Sequence, residues 1–120
     1  MFTAGAFLIS VKDTAFYKLS VEEFIQNMTR QRESGNLKAF KEFEVHRKIE
    51  QYGNISHVFS TYGTNIETAK GSINTCGINS IQMLRTGDQW KITSLIWFEE
   101  NSLHPLPDKY LPSKSKGMSN

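Results

Sequence analysis

The sequence predicts an α+β domain built mostly from strands, and three observations carry that expectation. One stretch, Val21, Phe24, Ile25 and Met28, repeats apolar residues at helical spacing behind a serine placed to cap it. From Phe40 to Phe98 the apolar period is two rather than three to four. Two segments, Gly53-Asn54 and Thr86-Gly87-Asp88-Gln89, divide that stretch into hairpins. Strands outnumber helices, and the helix stands apart from the hairpins, which is the α+β pattern.

Taken in order, residues 6–11 and 15–19 read as two short strands joined by a turn at Lys12-Asp13-Thr14. Ser20 then stands at an N-cap position with Glu23 three residues on, a capping box that opens a helix to about Gln31. Ser34-Gly35-Asn36 ends it. In the next strand Phe43, Val45 and Ile49 alternate with Glu42, Glu44, His46, Lys48 and Glu50. A two-residue Gly53-Asn54 loop would return the chain as a strand over 55–63, facing Glu50 with His57, Ile49 with Val58 and Val45 with Tyr62. Residues 64–75 read as a loop, because Ile66 is their one large apolar side chain before Ile73.

Residues 77–84 and 90–98 make the second hairpin. One face carries Ile81, Met83, Trp90, Ile92, Ile96 and Phe98, interrupted by Asn79 and Ser94. The other carries Ile78, Leu84, Leu95 and Trp97 among polar residues, so both faces need cover. One helix of about three turns is little cover for such a sheet. A second subunit, or elements that precede Met1, is the expected remedy. After Glu100 the chain turns irregular, with Tyr110-Leu111 as an anchor, giving one domain over 1–112 and a flexible tail over 113–120.

Composition excludes several classes. The formal charge is +2 and the basic residues are dispersed among acids, which argues against nucleic acid. The apolar run Ala4–Ile9 is far short of the roughly 20 residues of a membrane helix, and no basic n-region or cleavage site marks a signal peptide. A single cysteine, Cys76, excludes an internal disulfide framework and points to a reducing cytoplasm. His46, His57 and His104 have no compact metal-ligand spacing, and no glycine-rich loop precedes the helix, so neither a metal nor a nucleotide cofactor is expected.

The run Phe43–Tyr62, with its Glu-Val-His-Arg-Lys-Ile-Glu core, resembles the central hairpin of bacterial proteins of the nuclear transport factor two-like, or SnoaL-like, superfamily. Gly77–Met83 and Trp90–Trp97 resemble that superfamily's last two strands, and His104–Leu111 resembles the tail of an uncharacterised bacterial branch. The resemblance implies a cone in which a curved, mostly antiparallel sheet wraps a helix around a pocket, and homodimers formed through the sheet. It also implies two helices ahead of the first strand, which this sequence lacks, so the expected cone is N-terminally short. The superfamily spans isomerases, cyclases, dehydratases and non-enzymatic modules, and its fold fixes no activity.

Within that frame the expected function is binding of a small, mostly apolar molecule. Asn79 and Ser94 would supply the hydrogen bonds, with Tyr62, Phe59 and Trp90 as aromatic wall. Core packing is the plain alternative for all five. A second expectation is cofactor-free isomerase- or cyclase-type proton transfer, with the Glu50 carboxylate holding His57 as a base. An exposed cross-strand ion pair would look the same in sequence and is worth under about 1 kcal/mol. A third is a non-catalytic dimerising module with an incomplete pocket.

Overall fold

The helix forms where its cap is written. In the computed structural model, which describes residues 1–112, α1 spans Val21–Glu33. The Ser20 hydroxyl accepts from the Glu23 amide at 3.0 Å, and the Glu23 carboxylate accepts from the Ser20 amide at 2.8 Å. Glu22 and Glu23 in its first turn and Arg30 and Arg32 in its last complement the helix dipole. The tail expected over 113–120 lies outside the described residues.

Six strands make one sheet: β1 (Phe2–Val11), β2 (Phe16–Ser20), β3 (Leu37–Tyr52), β4 (Ile55–Thr68), β5 (Gly71–Thr86) and β6 (Gln89–Glu99). Their order is β2-β1-β6-β5-β4-β3, curved and antiparallel throughout except where β1 runs parallel to β6. A 3-10 turn at Asp108–Tyr110 closes the described chain. No helix among the described residues is long and apolar enough to cross a membrane.

The β3–β4 hairpin takes the register its loop dictates. Gly53 supplies the positive φ of a two-residue turn, +54°, and Glu50 faces His57 and Ile49 faces Val58. That register holds to His46–Thr61 and then slips, so that Glu44 rather than Val45 faces Tyr62. The extra residue is a bulge at Val45. It reverses the faces of the strand's first half: Phe43 and Ile49, an even number of residues apart, lie on opposite sides of the sheet.

The segment 64–75, expected as a loop, is strand. β4 runs on to Thr68 and β5 starts at Gly71, with only Ala69-Lys70 between them. Polar residues sustain the ladder by matching across it: Thr64 faces Thr75, with their hydroxyls hydrogen-bonded, Asn65 faces Asn74, and Ile66 faces Ile73. Hydrophobic pattern is blind to a strand held together in this way.

A second bulge, at Thr93, separates Gln82–Ser94 from Met83–Ile92. Asn79 faces Trp97 and Ser94 faces Gln82, three residues further along β5, so Asn79 and Ser94 lie on opposite faces instead of the single face expected of them. The concave face therefore carries Val58, Ser60, Tyr62 and Thr64 of β4 with Asn79 and Ile81 of β5 and Leu95 and Trp97 of β6. The convex face carries His57, Phe59 and Thr61 with Ile78, Ser80, Ile96 and Phe98.

The core is small and mixed. Ala6, Leu8, Leu37, Val58, Tyr62 and Ile92 are its buried apolar members, beside buried Ser60, Thr61, Thr64, Asn79 and Ser94. Helix α1 buries none of its own residues, and Ile25 stays 57% exposed. The helix crosses the concave face through Phe24, whose ring meets Trp97 edge-on at 6.2 Å, and leaves space behind it.

Candidate functional site

That space is a cavity of about 440 Å³ between α1 and the concave sheet. Phe24 and Met28 of the helix close one side, and Phe2, Leu8, Leu95 and Trp97 of β1 and β6 form the wall opposite. Helical spacing brings Phe24 and Met28 to one face of α1, and the strand period of two brings Leu95 and Trp97 to one face of β6. Such a wall offers an apolar molecule contact on several sides.

The polar groups of the cavity come from β3, β4 and β5. The Asn79 carboxamide donates to the Glu42 carboxylate at 3.2 Å, and Thr64 and Thr75 bond each other beside them. Tyr62 is 5% exposed, yet its hydroxyl has no hydrogen-bond partner among the described residues. Gly77 makes room for it, since a Cβ there would stand 2.6 Å from the Tyr62 oxygen. Burial, then the charges of Glu99 and Glu42, push the phenol well above its ordinary value, so Tyr62 is a neutral hydroxyl with a free lone pair and a free proton. Glu99, at the ladder position opposite Gly77, completes the rim.

Just outside, on β3, Glu44 is committed elsewhere. Arg47 grips it through Nε at 3.0 Å and through a terminal nitrogen at 2.9 Å, and Ser60 donates to it. The Arg47 hydrogen bond holds the Glu44 carboxyl below the usual carboxylate range.

Of the residues the sequence singled out, Tyr62 and Asn79 line the cavity. Phe59 does not: it sits on the convex face, its ring 5.5 Å from Tyr110 and 5.0 Å from His57. Ser94 is buried on that same side of the sheet. Trp90 lies at the start of β6, opposite Arg85, whose guanidinium stands 5.5 Å from its ring. Glu50 and His57 are direct ladder partners, but no ion pair joins them among the described residues. His57 instead bonds Ser80 through Nε2 at 2.9 Å. The structure thus brings the two residues together without making them a dyad.

Glu42, Thr64 and Thr75 escaped the sequence reading. The signal for Glu42 was its even spacing from Phe40, which would have put both on one face. It was masked by counting alternation from Phe43 across a bulge. The threonines lay in the stretch read as loop.

The convex face is covered differently. The segment after β6 folds back across it, with Thr61 donating to the Tyr110 carbonyl at 2.6 Å and the Leu106 amide to Glu100 at 2.7 Å. His104 meets Asp13 at 3.2 Å, and Asn101 donates to the same carboxylate at 3.2 Å. A groove of about 550 Å³ remains between this segment and Ile78, Ile96 and Phe98. Cys76 donates to Glu100 at 3.0 Å; burial, and then that carboxylate, push its thiol up to about 11, so it is not a nucleophile near neutral pH. Among the described residues no group of His, Cys, Asp or Glu is arranged to hold a metal ion.

No protein-family description matches the chain, and no curated protein matches it in sequence. Solved structures match it in shape. The beta subunit of the benzoate 1,2-dioxygenase from Burkholderia mallei superposes with a TM-score of 0.64 at 18% identity, over 92% of this chain and 79% of that one. An ntf2-like protein of unknown function from Shewanella baltica gives a TM-score of 0.47 at 14% identity, over 84% of this chain and 73% of that one. At such identities the likeness is one of fold.

Proposed function

We propose, from the nuclear transport factor two-like α+β cone that this chain adopts, that it binds a small, mostly apolar molecule in the cavity between α1 and the concave sheet. The observation that carries this reading is Tyr62: a residue 5% exposed whose hydroxyl has no partner among the described residues, on the wall of an apolar cavity of about 440 Å³. A bound ligand that accepts or donates there would gain a hydrogen bond worth about 0.5–1.5 kcal/mol. Asn79 and Glu42 beside it would orient the ligand, and the aromatic wall would supply most of the binding energy. No proton-transfer step is assigned to His57 and Glu50, since they lie on the convex side or the outer edge, away from this cavity.

Fluorescence of Trp97, part of the cavity wall, tests the reading. In a Trp90→Phe variant it is the sole tryptophan, because the chain has two. Titration with N-phenyl-1-naphthylamine, a neutral apolar probe, is expected to give a saturable change. Thr75→Phe, which adds no second tryptophan, should abolish it by filling the cavity. No saturation with the parent, or saturation untouched by Thr75→Phe, refutes the reading.

A second reading, a dimerising interaction module, is favoured by one observation: Phe43 and Ile55, on the convex face of β3 and β4, stay 43% and 61% exposed. Its occupant would be a second copy packed on the sheet. Sedimentation equilibrium decides it, with a concentration-independent monomer refuting the homodimer.

A further inference from the structure

The cavity also has a sign. Its acidic groups are Glu42 and Glu99, and no lysine, arginine or histidine lines it among the described residues. Five aromatic rings, Phe2, Phe24, Phe40, Tyr62 and Trp97, make up much of the wall. Tyr62 adds an oxygen without a partner among the described residues, over the gap that Gly77 leaves. Each feature favours the same charge. Carboxylates accept from N–H donors and attract a cation, aromatic faces present negative charge to it, and the phenol oxygen has a lone pair to offer. An anion would meet the same groups as repulsion and would find no cationic donor.

Resting on the pocket reading above, we propose that the ligand is an apolar, aromatic-sized body bearing a protonated amine. The Glu42 and Glu99 carboxylates and the aromatic walls hold the ammonium group, and the Tyr62 oxygen accepts one of its N–H donors. Asn79 then has a positioning part: its carboxamide fixes the Glu42 carboxylate at 3.2 Å and leaves the second carboxylate oxygen for the ligand. Glu44 is not available for the same task, because Arg47 already neutralises it.

Three probes of one skeleton isolate the charge: 1-naphthylmethylamine, 1-naphthalenemethanol and 1-naphthoate, each titrated at neutral pH by calorimetry. The expected result is an amine bound at least about tenfold more tightly than the alcohol, with the carboxylate weakest. Glu42→Gln and Glu99→Gln should each weaken the amine far more than the alcohol and bring the two affinities together, with a parent-like urea midpoint reporting that the variants are folded. Should either variant fail to fold, the parent protein still decides: raising ionic strength should weaken the amine and spare the alcohol. An alcohol that binds as tightly as the amine, or a naphthoate that binds best, overturns the ammonium assignment and leaves the pocket reading standing. If none of the three binds, both fall.

Discussion

The two faces of the central sheet hold similar polar groups under different covers. On the convex face the hydroxyls and carboxylates are spent on the chain itself: Thr61 on the Tyr110 carbonyl, Glu100 on the Leu106 amide and the Cys76 thiol, and Ser80 on His57. On the concave face Tyr62 has no partner among the described residues, and Glu42 keeps one oxygen outside its bond to Asn79. The covers differ to match. A segment pinned by side-chain hydrogen bonds lies over one face, and a helix that buries none of its residues stands over the other. Both faces pair most of their polar groups within the chain, Thr64 with Thr75 and Ser60 with Glu44 on the concave side, and what sets the concave face apart is an apolar cavity with Tyr62 and Glu42 on its wall.

The largest expected effect compares two glycines. A Cβ on Gly77, on the concave side, would lie 2.3 Å from the Phe98 carbonyl oxygen and 2.9 Å from the Glu99 Cα, both backbone atoms that cannot yield. Gly77→Ala should cost about 3 kcal/mol in urea unfolding, at the upper end of overpacking penalties. A Cβ on Gly63, on the convex side, meets only the ring of Phe43, which is 43% exposed and free to swing away. Gly63→Ala should therefore cost under about 1 kcal/mol. Equal losses would mean that the sheet, not the local contact, sets the penalty.

Next comes a pair of hydroxyl deletions. Thr61→Val removes a bond made at a position 1% exposed and strands the Tyr110 carbonyl, for a loss of about 1–2 kcal/mol. Hydrogen exchange at the Tyr110 and Leu111 amides should quicken with it. Tyr62→Phe breaks no bond among the described residues and should change stability by less than about 0.5 kcal/mol, while weakening 1-naphthylmethylamine. A Tyr62→Phe variant as unstable as Thr61→Val would show that the concave hydroxyl is spent after all.

Between these lies the helix cap. Ser20→Ala deletes the acceptor of the Glu23 amide and should lower the melting midpoint by the equivalent of about 1 kcal/mol. Because α1 is the cavity's roof, probe affinity should fall in the same variant; unchanged affinity would separate the roof from the site.

The smallest effect is one of pH. The Cys76 thiol is raised in the fold to about 11 from an ordinary 9.0, so the native state holds this proton more tightly than the unfolded chain. Its contribution is fully present below pH 9 and is lost as the pH climbs from there through about 11. Cys76→Ser should flatten the fall of stability over that window, measured by urea midpoints, and the parent thiol should react slowly with iodoacetamide at pH 8.

Much of this was legible without coordinates. The capping box at Ser20 and Glu23, the Gly53-Asn54 loop and the Glu50–His57 register follow from contacts a few residues apart, and residue type alone writes those. Tyr62 and Asn79 were likewise in reach, as polar or aromatic residues at the right period. The rest depended on where two bulges fall. At Val45 one extra residue brings Glu42 to the concave face, and at Thr93 another sends Ser94 to the face opposite Asn79. Neither has a marker in the local pattern. The strand at 64–75 was hidden as well, since its stability comes from threonines and asparagines that match across a ladder.

The sequence by itself determined the class, the one helix, the loops at Gly53-Asn54 and Gly87-Asp88 and the register near the first of them. Only the tertiary structure decided which face each residue occupies, that β1 closes against β6 in parallel, and hence that Tyr62, Glu42, Asn79 and Glu99 meet. The reason is range. Caps and turns are set by neighbouring residues, whereas a face is set by counting along a strand, and one bulge anywhere on it reverses every count beyond.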